Sequence, residues 1–199
     1  SHFSKIATEF QRYLHAQIAE KYGRNTKTIY YDVTNFYFEI DEADDFRKLG
    51  VCKEKRHDPI VQMGLAMDGD GIPLCYELFP GNTLDKETFR PVIGEVRRNY
   101  DTGRIIVVAD MGIITGDNIF YLQGKEKGKN FNGYVFSFSV RGGTKAFQEY
   151  VLSTEGYVDK DGKPVDEHTD FKIKSRVIAR EINVTLPSGK KDKKTVYEK

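Results

Sequence analysis

Ile29-Tyr30-Tyr31-Asp32-Val33-Thr34-Asn35-Phe36-Tyr37-Phe38 decides how this chain folds. Its β-branched and aromatic residues read as a strand, from about Thr28 to Ile40, with Asp32, Thr34, Phe36 and Phe38 on one face. Asp32 interrupts an otherwise apolar run. A second run, Ile105-Ile106-Val107-Val108-Ala109, ends on Asp110. Both read as strands of a buried sheet. An unpaired carboxylate is costly there, so it is hydrogen-bonded, neutralised by a cation, or functional. Two such carboxylates on neighbouring strands are what a divalent-metal site for phosphate chemistry requires. The plainer alternative is that each Asp caps a loop.

The segments between these runs predict the topology. Residues 39–58 are charged and read as a loop. Ile60–Met67 and Ile72–Phe79 read as strands joined by the turn sequence Met67-Asp68-Gly69-Asp70-Gly71, an antiparallel hairpin. Pro80-Gly81-Asn82-Thr83 is a second turn. Asp85 then reads as the N-cap of a helix that runs to about Tyr100, with Glu87 in its first turn. Arg104–Ala109 is continuously apolar in its body, which predicts a parallel strand covered on both faces. After Asp110, Met111-Gly112-Ile113-Ile114-Thr115 leads into a short helix that stops near Gly124. A fifth strand is predicted over Phe131–Val140.

Three strands with hairpin links, then helix, strand, helix and strand, define an α/β pattern with a mixed sheet. Right-handed crossovers place the fourth strand beside the first and the fifth outside it. Asp110 then sits at the carboxyl end of its strand, where open α/β sheets bind ligands, and Asp32 faces it from the next strand. Upstream, Phe3, Ile6, Phe10, Tyr13, Leu14, Ile18 and Tyr22 recur at helical steps, and Gly23 follows as a stop. This predicts a packing helix.

Past Val140 the character changes. Phe171–Leu186 is β-rich, Pro187-Ser188-Gly189-Lys190 is a turn, and Thr195-Val196-Tyr197 opens another strand. Strand signals that continue to the last residues are read as a subdomain cut within an element. The same region is strongly basic. Lys172, Lys174, Arg176, Arg180, Lys190, Lys191, Lys193, Lys194 and Lys199 stand against Glu181, Asp192 and Glu198, a net charge of +6 from residue 172 onward. If the first eight project from one hairpin they form a compact phosphate-binding surface; the alternative is a solvated face.

The whole chain has 199 residues and a formal charge of +1, so global charge argues neither for nor against nucleic acid. Thirteen Phe and 12 Tyr belong to a globular composition, not a disordered one. Cys52 and Cys75 lack metal-binding spacing, and Cys75 alternates within a strand as a core residue. The four histidines form no ligand pattern, and His57-Asp58 reads as a solvated turn. Arg141-Gly142-Gly143-Thr144-Lys145 lacks the spacing of a phosphate-binding loop. No apolar run reaches membrane-spanning length and no signal peptide is visible, so a cytoplasmic location and no membrane partner are expected.

With these residues in place, the chain resembles the DDE insertion-sequence transposases, the cut-and-paste class with a Tyr-Arg-Glu-Lys signature. Asp32-Val33-Thr34 resembles the motif that carries their first catalytic carboxylate, and Asp110-Met111-Gly112 the motif around their second. Asp70-Gly71-Ile72-Pro73-Leu74, Tyr76-Glu77 and Phe79-Pro80-Gly81-Asn82-Thr83 with Asp85 are similar to the hairpin and turn between them. Some family members carry an aromatic where this chain has Thr115. The resemblance spans roughly residues 28 to 140.

It implies an RNase H-like mixed sheet flanked by helices, followed by a partial β-rich insertion subdomain. The implied layout is an N-terminal helix (1–25), a catalytic core (26–140) and the truncated insertion (141–199). It further implies Mg²⁺- or Mn²⁺-dependent DNA cleavage and strand transfer at a two-metal site. Asp32 would bridge the ions and Asp110 would hold one. Double-stranded DNA, both transposon ends and target, would be the partner of a homodimer associated with the nucleoid.

The family's third acid, a Glu on a helix after the insertion, has no counterpart. Glu181 follows Arg180 directly, and Tyr197-Glu198-Lys199 has the wrong spacing. The third acid is therefore expected beyond Lys199, and the fragment alone is expected to be inactive. Two alternatives remain: a catalytically dead, domesticated transposase domain that binds DNA, and another RNase H-like nuclease such as a resolvase or ribonuclease H.

Overall fold

The computed structural model describes residues 6–40, 42–51, 57–100, 102–123, 132–166 and 168–199. Residues 3–5 of the predicted first helix, Cys52, Gly124 and Phe131 lie outside them. In chain order the first part is α1 (Ala7–Tyr22), β1 (Thr28–Tyr37), β2 (Ile60–Met67), β3 (Pro73–Pro80), α2 (Asp85–Asn99) and β4 (Ile106–Ala109). A 3₁₀ turn (Met111–Ile113), α3 (Gly116–Gln123) and β5 (Gly133–Phe136) follow, then α4 (Lys145–Leu152), β6 (Ile178–Thr185) and β7 (Lys191–Glu198).

Five strands form one mixed sheet in the order β3-β2-β1-β4-β5. β2 pairs antiparallel with both β1 and β3, while β4 pairs parallel with β1 and β5. One strand thus runs against the other four, and helical crossovers return the chain to β4 and β5. This is the RNase H-like arrangement that the resemblance implied.

One face of the sheet is covered. Phe89, Val92, Ile93 and Val96 recur along α2 at helical spacing and pack on Ile29, Tyr31, Val33 and Val107, all nearly inaccessible. Each such side chain contributes about 1.5–3 kcal/mol by leaving water. Tyr31 donates from its hydroxyl to Thr88 Oγ1 at 2.5 Å, and Thr88 Oγ1 donates to the Asp85 carbonyl at 2.7 Å, so the phenol is satisfied inside the core.

The opposite face is open. Tyr30, Phe36, Tyr76, Leu78, Ile106 and Val135 are each 40–58% exposed. β4 is therefore covered on one side only, contrary to the reading of its continuous apolar run. Strand alternation explains this: Val107 and Ala109 point to the α2 side, and Ile106 points away.

The helix ends differ from expectation too. Leu84, not Asp85, is the N-cap of α2, and the Glu87 carboxylate accepts from the Leu84 amide at 3.2 Å. α1 forms as predicted but buries no residue fully, and Phe10, Tyr13 and Tyr22 stay exposed. Its polar ties include the Tyr76 amide, which donates to Gln11 Oε1 at 2.8 Å, and Arg12, which pairs with Glu95 at 3.1 Å. Cys75 is a buried free thiol in the core. Burial, followed by the nearby Glu95 charge, pushes it up to about 12, so it stays protonated and inert.

The turn sequence after β2 hides a buried ion pair. Arg24 Nε lies 2.9 Å from Asp68 Oδ2, with the two side chains 2% and 0% exposed. Asp68 Oδ1 also accepts from the amides of Asp70 and Ile72, and Arg24 Nη2 donates to the carbonyls of Ile72 and Pro73. The segment between α1 and β1 is thereby fastened to the β2–β3 turn.

The chain divides into two compact units, Ser1–Ser137 and Phe138–Lys199. The second contains α4 and the antiparallel β6–β7 hairpin, in which Ile182, Val184 and Val196 are buried. Thr144 caps α4, its Oγ1 accepting from the Phe147 amide at 3.3 Å. β6 begins at Ile178 rather than near Phe171, and upstream of it Ile173 makes an isolated antiparallel bridge with Val158.

Candidate metal centre

β1 and β4 are in parallel register, with Tyr31 opposite Ala109 as the last pair. Asp32 and Asp110 occupy the next position on each chain. Adjacent strands lie about 4.8 Å apart, so the two residues are neighbours at the edge where β4 ends. Among the described residues, β1 continues past this point paired with β2 alone.

Both aspartates are exposed, which corrects the premise that they are buried. Asp32 belongs to the open face of β1, alternating with the buried Tyr31 and Val33, and Asp110 follows the last residue of its strand. Neither carboxylate bears the desolvation cost that the apolar runs suggested. What the geometry supplies instead is two acidic residues on neighbouring strands, a pairing of like charge that a divalent cation between them would favour.

Asp110 is held firmly. Its Oδ1 accepts from the Met111 amide at 2.6 Å and from Ser137 Oγ at 2.5 Å. The first bond caps the 3₁₀ turn, so Asp110 also performs the loop-capping task of the plainer reading. Behind the turn lies Asn118, 2% exposed. Its Nδ2 donates to the carbonyls of Ile113 and Lys86, and its Oδ1 accepts from Arg90 Nε. One buried amide thus ties the Asp110 turn to α2 and α3. Asp85, at the start of α2, approaches the same turn: a Cβ on Gly112 would lie 3.6 Å from its Oδ2. Tyr31, raised mainly by burial, also feels the negative charges of Asp85, Asp32 and Glu77.

The donor set is two hard carboxylates, which suits Mg²⁺ or Mn²⁺ better than zinc. Among the described residues no three His, Cys, Asp or Glu side chains are grouped to hold a metal ion. The pair fits the ion as a partial site, because Mg²⁺ uses one or two carboxylates and completes its shell with water and phosphate.

The eight basic residues do not share one surface. Lys172, Lys174 and Arg176 precede the hairpin and lie against tyrosines. Lys174 Nζ is 4.4 Å from the ring centre of Tyr157 and 4.6 Å from that of Tyr150, and it donates to the Ser153 carbonyl. Arg176 lies 4.0 Å over Tyr150, and Lys172 lies 5.4 Å over Tyr157. Arg180 grips Glu198 with two bonds of 2.6 Å. Lys194 pairs with Asp192 at 2.6 Å, on the same hairpin face as Arg180. Lys191 and Lys193 belong to the other face, where Lys193 meets Glu181 at 3.4 Å, and Lys190 is in the turn beside them.

Sequence reasoning missed Ser137, Asn118 and the Arg24–Asp68 pair. Only Ser137 had a signal: in-register parallel strands place the residue after β5 next to the one after β4.

No family profile matches the chain, and no curated protein matches it. Among solved structures it is similar to a Mos1 transposase paired-end complex with left transposon end, at 16% identity over 52% of this chain and 34% of that one, with a TM-score of 0.29. It is similar to a Mos1 mariner paired-end complex with Mn at 16% identity, 53% and 37% coverage and a TM-score of 0.26. It is also similar to a piggyBac transposase synaptic complex with hairpin DNA, at 9% identity, 86% and 32% coverage and a TM-score of 0.41. The chain spans about a third of the length of these proteins' chains.

Proposed function

We propose that this chain is part of the catalytic core of a DDE-type transposase, acting on double-stranded DNA by metal-dependent cleavage and strand transfer, within a homodimer. One observation carries the reading: Asp32 and Asp110 stand side by side at the carboxyl edge of an RNase H-like sheet. Asp32, on the central strand, and Asp110 would hold Mg²⁺ or Mn²⁺, which when bound would supply activation of a water or a 3′-hydroxyl and stabilisation of the leaving oxygen. Asp110 contributes a carboxylate fixed in orientation, and Asp32 one backed by the sheet. The exposed Lys190, Lys191 and Lys193 of the second unit are assigned to the DNA backbone.

The third acid of the family pattern is not found in the sequence. Two carboxylates leave the site short of ligands, so weak metal binding and no DNA cleavage are expected of residues 1–199 alone. The test is a Mn²⁺ titration beside a plasmid-nicking assay. The reading expects weak Mn²⁺ binding that disappears in Asp32→Asn and in Asp110→Asn. Binding that ignores both substitutions would overturn it. Robust nicking by the chain, abolished by Asp32→Ala, would show instead that the site is already complete.

A further inference from the structure

We infer that Ser137 is a positioning residue of this metal site, acting through Asp110; the inference rests on the reading just proposed. β4 and β5 are parallel and in register, with Ala109 opposite Phe136. The next position on each chain puts Ser137 beside Asp110. The Ser137 hydroxyl donates to Asp110 Oδ1 at 2.5 Å, within the short range of charge-assisted O–H···O⁻ bonds. The backbone holds this alignment as well, since the Ser137 amide donates to the Ala109 carbonyl.

The Met111 amide reaches the same oxygen from the other direction. Two donors on one oxygen fix the plane of the carboxylate, because rotation about its Cβ–Cγ bond breaks both. With the amide alone, the group swings about a single contact. A metal ligand that is already oriented loses less freedom when the ion arrives, and partners of this kind typically control ten- to hundred-fold in metal affinity. The serine therefore does for Asp110 what an outer-shell carbonyl does for a metal-bound histidine. Its exposure at the strand end also makes a substitution here mild for the core, so an effect on the metal is separable from one on folding.

Two measurements test this. The first is Mn²⁺ affinity of the chain with Ser137→Ala and Ser137→Thr. Alanine is expected to weaken binding at least about tenfold, and threonine, which keeps the hydroxyl, to restore most of it. The second uses no metal. The Met111 amide proton shares its acceptor with Ser137, so its NMR resonance is expected to move in Ser137→Ala and to stay near the wild-type position in Ser137→Thr. Wild-type Mn²⁺ affinity in Ser137→Ala, with binding still dependent on Asp32 and Asp110, would overturn the role of Ser137 and leave the metal site standing. An unmoved Met111 resonance in Ser137→Ala would overturn it as well. Mn²⁺ binding that ignores Asp32→Asn and Asp110→Asn would overturn the metal site and this inference together.

Discussion

At the scale of single residues, the Arg24–Asp68 pair constrains the sheet unit, because both side chains are almost fully buried. Burial pushes the Asp68 carboxyl up, but the hydrogen bonds from Arg24 and from the Ile72 and Asp70 amides outweigh it and hold the group below its ordinary 3.8. A depressed aspartate stabilises the fold fully above its unfolded value and loses that contribution as pH falls below roughly 4. His15, whose Nδ1 faces Arg24 Nη1 at 3.3 Å, is lowered by burial first and the Arg24 charge second, against the opposing charge of Asp68. Its proton is taken up more readily by the unfolded chain, so stability also declines as pH falls through 6.5. Urea unfolding is expected to show both declines in turn. Arg24→Leu is expected to cost about 3–5 kcal/mol at pH 7, since it strands a buried carboxylate, whereas Arg24→Leu with Asp68→Leu is far milder. A single variant as stable as the wild type would mean that the pair is solvated in solution.

At the scale of elements, the β6–β7 hairpin and the segment before it divide work that the sequence presents as one basic block. Lys174 and Arg176 sit on Tyr150 and Tyr157, where cation–π contacts contribute about 0.5–2 kcal/mol each. Replacing Lys174 and Arg176 with Ala is therefore expected to lower the melting temperature of the second unit. Lys190, Lys191 and Lys193 stand exposed on the turn and one hairpin face. Their Ala triple variant is expected to leave stability alone and to flatten the salt dependence of DNA binding by up to about three units, roughly one per phosphate contact. An unchanged slope would make this face a solubilising one. The same element-level logic governs the Pro80–Thr83 turn: a Cβ at Gly81 would collide with the carbonyl oxygens of Ile60 and Lys48, so only glycine lets the loop after β1 dock there.

At the scale of the whole molecule, the sheet of the first unit has a helix layer on one side and an exposed apolar face on the other. Neighbouring residues should then differ sharply in what their loss costs. Ile105 is fully buried while Ile106 is 41% exposed. Ile105→Ala is expected to destabilise by about 2–5 kcal/mol, and Ile106→Thr by no more than about 0.5 kcal/mol. Equal costs, measured by chemical denaturation, would show that another layer covers Ile106 in solution. Among the described residues no helix is long and apolar enough to cross a membrane.

The sequence by itself determined the strands, their order and the α/β class. Those properties follow from local signals: alternation in β1, the hairpin turn after Met67, the helical spacing of Phe10, Tyr13, Leu14 and Ile18, and the handedness of crossovers. It also located Asp32 and Asp110, because a charged residue within or ending an apolar run is visible without coordinates. Which side of each strand meets a helix was decided only by tertiary structure. An apolar run such as Ile105–Ala109 looks the same whether one face or both are covered, and so the exposure of the two aspartates was misread. The Arg24–Asp68 pair and the Asn118 clamp were invisible for a related reason, and the bond from Ser137 to Asp110 was legible only through the register of β4 and β5. Each joins residues 27 to 44 positions apart, or in the case of Asn118 three separate elements. No local pattern encodes a hydrogen bond whose two ends meet only after the sheet has closed.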